Sequence, residues 1–263
     1  MGLGLQSLTS MEIDMATNNP NAVKVQQPTC LDDFALQPNS KYKLESILDL
    51  TLPFPDNGMC GIILYGLYGT GKTTLANLLP GLIDTAKSDP NAQSIKPNLL
   101  IDTTEPNFDV HACAQGQNGA QLTQQIQNRT QLISMNQSGY HFVILDEVDN
   151  LTEAAQAGLK AIMNKPHVVF IMTTNNLDKI DKGIENRSVV IDMNLAPVAN
   201  WLPILRRVYT DAHLAAPSDA ALEQVVTAGR GSARSIFTDV VMAANQAKRA
   251  GHSAVSNVAN LRS

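Results

Sequence analysis

The apolar run Gly61-Ile62-Ile63-Leu64-Tyr65 passes without a break into Gly66-Leu67-Tyr68-Gly69-Thr70-Gly71-Lys72-Thr73-Thr74, and then into the helical pattern KTTLANLLPGLI. A short strand with no polar alternation has both faces buried, which is the signature of a parallel sheet. Glycines at the strand's end allow a tight turn, and a helix follows at once. The spacing fits G-x-x-x-x-G-K-[ST] without a gap. In such a loop the backbone N–H groups of Gly66, Gly69, Thr70, Gly71 and Thr74 face phosphate oxygens. Lys72 reaches the β/γ oxygens, and Thr73 is a ligand for Mg²⁺. The loop alone leaves a kinase, a switch, a motor or a loader open, so the rest of the chain must decide.

Downstream, strands and helices alternate. NLLIDTT, DVHACA, HFVILD, HVVFIMTT and SVVIDMN read as strands, and GAQLTQQIQNRTQLISMN reads as a polar helix with an apolar stripe. This order predicts a parallel sheet covered by helices on both faces. Upstream, SKYKLESILDL has helical spacing, whereas residues 1–29 are polar, carry little periodicity and read as a flexible arm. After SVVIDMN the texture changes to three helices, VANWLPILRRVYTDA, SDAALEQVVTAG and SARSIFTDVVMAANQAKRAG, with Ser218 and Ser232 as N-caps and Gly229 and Gly251 as stops. The expected organisation is therefore an α/β domain over 30–194, a small all-helical lid over 195–251 and a tail over 252–263.

HFVILDEVDN carries the chain up a strand and delivers Asp146 and Glu147 at its carboxyl end, where ligands sit in open α/β sheets. Asp146 is the expected metal residue and Glu147 the residue that polarises water. An acidic pair there favours hydrolysis over storage of a nucleotide. HVVFIMTT ends beside Asn175, whose amide is placed to orient that water, and Arg187 follows in IENRS. In GSARS, Arg234 opens a lid helix from which it can swing onto the γ-phosphate.

The order and spacing of these parts resemble the AAA+ ATPases, most closely the motor subunits of sliding-clamp loaders of the replication factor C type and their phage counterparts. LDDFALQPNSKYKLESIL resembles their entry motif, LDEVDNLT their Asp-Glu-x-Asp box, AAQAGLKAIMN the helix after it, and Asn175 to Ser188 their Asn-Asn-x-x-Lys-Ile…Ser-Arg-Cys run. The resemblance covers residues 28–248. It implies a P-loop NTPase fold with a helical lid, ATP and Mg²⁺ as cofactors, and a homo- or hetero-oligomeric ring or spiral whose assembly depends on nucleotide. DNA or a replication protein is the implied partner. Asn175 becomes the first sensor, Arg187 an arginine finger presented to the neighbouring subunit's ATP, and Arg234 the second sensor acting in cis. Lys160 falls where the family has a basic residue facing the central chamber. Departures are Asn186-Arg187-Ser188 for Ser-Arg-Cys, Leu67-Tyr68 in place of prolines and Ser232 in place of an acid. The family's helical collar and zinc module are expected to be missing. A branch-migration helicase, a helicase loader and a nucleotide-gated scaffold on DNA or protein stay open as alternatives.

Composition narrows the partners. A net charge of −5 excludes a polycation that coats nucleic acid, so any contact with DNA must use a local patch. Three widely spaced cysteines argue against a disulfide framework and fit a reducing, cytoplasmic compartment, with the nucleus or an infected host cell equally compatible. His111 and Cys113 lack a second ligand pair and read as strand residues rather than a metal site. No run approaches the ~18 apolar residues that span a bilayer. NKPH at Asn164 lacks the acid that a guanine-reading motif needs, which disfavours a GTPase.

Overall fold

The computed structural model describes residues 22–88, 107–113 and 119–260, the last ten of these as backbone only. Five strands form one parallel sheet: β1 (Gly61–Tyr65), β2 (Phe108–Ala112), β3 (His141–Asp146), β4 (Val168–Thr174) and β5 (Ser188–Asp192), in the order β2-β3-β4-β1-β5. β4 is buried along its whole length. The strand expected at residues 98–104 lies outside the described residues.

Alternation along β1 divides the core, because successive side chains leave a strand on opposite faces. Ile62 and Leu64 join a cluster with Leu44 and Ile47 of α1 (Pro38–Leu48) and with Leu75, Leu79 and Ile83 of α2 (Lys72–Ser88). Ile63 joins the opposite cluster, with Leu122 and Ile126 of α3 (Gly119–Arg129), Leu159 of α4 (Glu153–Ile162) and Ile184 of the single-turn α5 (Lys182–Glu185). A third cluster builds the lid from α6 (Val198–Asp211), α7 (Asp219–Ala228) and α8 (Ala233–Asn260): Trp201, Leu205, Val208, Leu222, Val226, Ile236 and Val240. Among the described residues no helix is long and apolar enough to cross a membrane.

Three expectations need correction. Residues 22–29, read as the end of a flexible arm, are packed on the lid. Val23 is buried in the lid cluster, and its N–H donates to Asn245 Oδ1 at 2.9 Å. Two isolated valines among polar residues carry too little pattern to announce that contact. The helix expected to run to Asn136 ends at Arg129. Beyond it Thr130 turns its hydroxyl back onto the Ile126 carbonyl, and Ser134 and Asn136 bond the Tyr140 carbonyl, an alternative that such side chains offer to helix. Leu132, Ile133 and Met135 are consequently left 67%, 90% and 85% exposed. Gly251, read as a stop, lies inside α8, which runs on to Asn260 through residues read as a tail. A glycine costs a helix only about 1 kcal/mol, too little to end one on its own.

Candidate nucleotide site

The turn after β1 is held open by glycines in the left-handed region, Gly69 at φ 78° and Gly71 at φ 92°, where a side chain would be strained. α2 begins at Lys72 directly behind it. The loop borders a cavity of about 650 Å³ at the carboxyl ends of β1, β3 and β4, between core and lid. Gly69, Thr70, Gly71, Lys72, Thr73 and Thr74 all line it, as do Asp146, Glu147, Asn175 and Arg234. Gly66 stands behind the wall, where its carbonyl accepts from Lys72 Nζ at 2.8 Å. The same ammonium donates to the Leu67 carbonyl at 2.7 Å. Burial pulls the Lys72 pKa below the ordinary lysine value, while the charges of Asp146, Asp149 and Glu147 pull it back up.

The sheet register explains how the acidic pair is held. β3 and β4 pair Leu145 with Met172, so Asp146 emerges beside Thr173. The Thr173 hydroxyl donates to Asp146 Oδ1 at 2.6 Å and accepts the Glu147 N–H at 2.9 Å. Thr73 donates to the same Asp146 oxygen at 3.0 Å, which brings the phosphate loop and the β3 terminus together. Glu147 has φ 57°, a left-handed conformation that costs a non-glycine residue about 1–2 kcal/mol. Its carboxylate accepts from Asn150 Nδ2 at 3.2 Å. The Asn175 N–H donates to Asp149 Oδ1 at 3.4 Å. Arg234 reaches the site from the start of α8, where its N–H donates to the Gly69 carbonyl at 3.1 Å.

Arg187 is not brought to this cavity. It precedes β5, and its carbonyl accepts the N–H groups of Cys60 and Gly61 at the amino end of β1. Its guanidinium bonds the Gly183 carbonyl at 2.9 Å and Asn164 Oδ1 at 3.3 Å. The five residues of β1 separate it from the phosphate loop by about 16 Å at roughly 3.3 Å per residue, beyond the reach of its side chain. Lys160 is engaged by the Asp181 carboxylate at 3.1 Å, joining α4 to the cap of α5.

Sequence reasoning missed several lining residues. Residues 25–29 form one wall, and Phe34, Trp201 and Phe237 contribute apolar surface. Arg207 of α6 lines the cavity and pairs with Asp33 at 2.6 Å. Thr173 had a signal, since the hydroxyl pair at the end of β4 precedes Asn175 in the sequence. Arg207 had none, because its partner lies in another domain.

The model of the ATPase family associated with various cellular activities (AAA) matches residues 62–193, half of the chain. The chain belongs to the AAA family of ATPases. It is similar to replication factor C small subunit 2 of Pyrobaculum islandicum, with 26% identity over 205 residues that make up 76% of this chain and 58% of that protein. The same subunit of Pyrobaculum arsenaticum is 26% identical over 190 residues, 71% of this chain and 53% of that one. The chain thus spans little more than half the length of the curated relatives it matches. Among solved structures it resembles the Thermotoga maritima RuvB Holliday junction branch migration motor, with a TM-score of 0.55 at 19% identity over 84% of this chain and 72% of that one. At that identity the likeness is one of fold.

Proposed function

We propose that the chain binds ATP with Mg²⁺ and hydrolyses it at the interfaces between subunits of an oligomer, acting on DNA-replication machinery in the manner of a clamp loader. The observation that carries this reading is the separation of the two arginines. Arg234 lines the chain's own cavity, whereas Arg187 stands at the far end of the sheet, a position suited to a nucleotide held by a neighbouring subunit. The replication factor C relatives support the replication role.

The residues at the β3 terminus suit a hard cation, since Thr73 Oγ1 and Asp146 Oδ1 are oxygen donors that already converge. They would hold Mg²⁺, which when bound neutralises charge on the β- and γ-phosphate oxygens. Lys72 turns from its loop carbonyls to those oxygens. Glu147 accepts a proton from the attacking water, and Asn175 orients that water. Arg234 closes from the lid, and Arg187 of an adjacent copy meets the charge that develops on the transferred phosphoryl group. Nucleotide held between subunits favours the assembled state by its differential affinity for it, so ATP should promote a ring or spiral.

Steady-state ATPase assays with primer–template DNA and a candidate sliding clamp test this reading. Turnover stimulated by the two together supports it. Stimulation by a DNA junction or by a helicase alone would move the chain to the motor or helicase-loader class. Binding with no turnover under any condition would make it a nucleotide-gated scaffold.

A further inference from the structure

Besides the bond from Asn200 Nδ2 of α6 to the Leu36 carbonyl at 2.7 Å, two contacts tie the lid to the α/β core at the cavity wall. At the phosphate loop, the Arg234 N–H donates to the Gly69 carbonyl. At the entry motif, Arg207 Nη2 lies 2.6 Å from Asp33 Oδ1. Asp33 is a junction, with its side chain only 10% exposed. Its second oxygen accepts the N–H groups of Thr29 at 2.6 Å and Cys30 at 3.2 Å, and the Thr29 hydroxyl at 3.3 Å. Burial raises the Asp33 pKa, but those N–H groups and the Arg207 guanidinium outweigh it and hold the carboxyl below the ordinary value. One carboxylate therefore ties together Thr29 of the cavity wall, the adjoining Cys30, the 3₁₀ turn Leu31–Asp33 and a lid helix.

The lid transmits what happens at that contact. α6 and α8 share a packed core of Leu205, Val208, Ile236 and Val240, and Trp201 meets Phe237 edge-on at 6.0 Å between ring centroids. Interiors packed in this way move as bodies rather than deform. Releasing α6 from Asp33 leaves the lid tied to the core only through Asn200 Nδ2 on the Leu36 carbonyl and the Arg234 N–H on Gly69 among these contacts, and so loosens the hold of α8, and of Arg234 with it, on the phosphate loop.

We propose that Arg207 is a positioning residue of this site: by gripping Asp33 it fixes the lid, and through the lid Arg234, over the bound nucleotide. The proposal rests on the cavity being the ATP site and adds to it a latch that controls how long nucleotide is retained.

Release of the fluorescent analogue mant-ATP from the 263-residue chain, followed by stopped flow, tests the latch. Arg207→Ala and Asp33→Asn should each speed release about threefold to tenfold, the range expected for a pair that is buried on one side and half-exposed on the other. The double variant should release no faster than the faster single one, since both remove one interaction. Arg207→Lys, which keeps the charge and cannot unfold the site by losing it, should recover most of the wild-type retention. KM for ATP should rise by a larger factor than kcat at saturation falls, because saturating ATP draws the lid back. Trp201, the chain's single tryptophan, lines the cavity from α6, and its emission should shift when Arg207→Ala loosens the lid. Unchanged release in the folded single variants, or additive effects in the double, would overturn the proposal. Retention that Lys72→Ala leaves untouched would instead overturn the ATP-site reading, and the latch with it.

Discussion

Thr173→Val replaces one buried hydroxyl with a methyl group and leaves every proposed ATP-contacting side chain in place. That hydroxyl performs two tasks, donating to Asp146 Oδ1 at 2.6 Å and accepting the Glu147 N–H at 2.9 Å. Loss of the acceptor takes the partner from a part-buried backbone N–H, a cost of about 1–3 kcal/mol. For a chain of this size that corresponds to a fall of about 2–10 °C in Tm. Loss of the donor frees the Asp146 carboxylate from a charge-assisted bond worth about 1.5–3 kcal/mol. If that orientation is expressed only in the transition state, kcat falls by about 10- to 150-fold, at about 1.4 kcal/mol per factor of ten. Mant-ATP affinity should change little, because the phosphate loop is intact. Thr173→Ser keeps the hydroxyl and should retain most of the rate. Steady-state ATPase, mant-ATP titration and thermal melting on the three proteins give the answer. A Thr173→Val protein that turns over ATP at the wild-type rate would refute the argument that this hydroxyl aligns the acidic pair.

Glu147→Gln should bind ATP normally and accumulate it unhydrolysed, since the base is lost and the metal donors remain; single-turnover kinetics would show this, and a normal rate would reassign the water-activating role. Cys60 and Cys113 are buried and pushed up by desolvation, to about 11 and about 12 respectively, with nearby carboxylates adding to the effect at Cys113. Both should therefore resist a thiol reagent at pH 8 in the native protein and react after denaturation. Asp33 has a depressed folded pKa, so its contribution to stability is fully present above about pH 4 and is lost as pH falls through the lower folded value. Urea melts between pH 5 and pH 3 should show a smaller acid loss in Arg207→Ala than in wild type.

The parts legible in the sequence are those whose signal is local. β1, β3 and β4 are unbroken apolar runs because a parallel strand is covered on both faces, and the phosphate loop is read from glycine spacing. Asp146, Glu147 and Asn175 follow from strand ends, and the structure does place them around one cavity. Illegible were the contacts made across domains. Val23 meets the lid, and Arg207 meets Asp33, through tertiary packing that no neighbouring residue announces. The stripe over Leu132, Ile133 and Met135 imitates a helix, but local side-chain bonds to the backbone end α3 first and leave those residues in solvent. Arg187 was legible as a residue and not as a position. Only the topology, with Arg187 at the amino end of β5 beside the start of β1, shows that it faces away from its own phosphate loop.

That separation makes a mixing experiment the most direct test of catalysis between subunits. Arg187→Ala and Lys72→Ala chains are each expected to be nearly inactive alone, one lacking the finger and the other the cation that holds the phosphates. Arginine fingers contribute about 10³–10⁵ in rate, so even a minority of competent interfaces is measurable. Mixed in varying ratio, the two should regain ATPase activity, with a maximum at intermediate composition where an intact phosphate loop meets an intact finger on its neighbour. Activity that stays at the level of the separate variants at every ratio, under conditions where the chains assemble, would contradict a nucleotide site completed by a second copy.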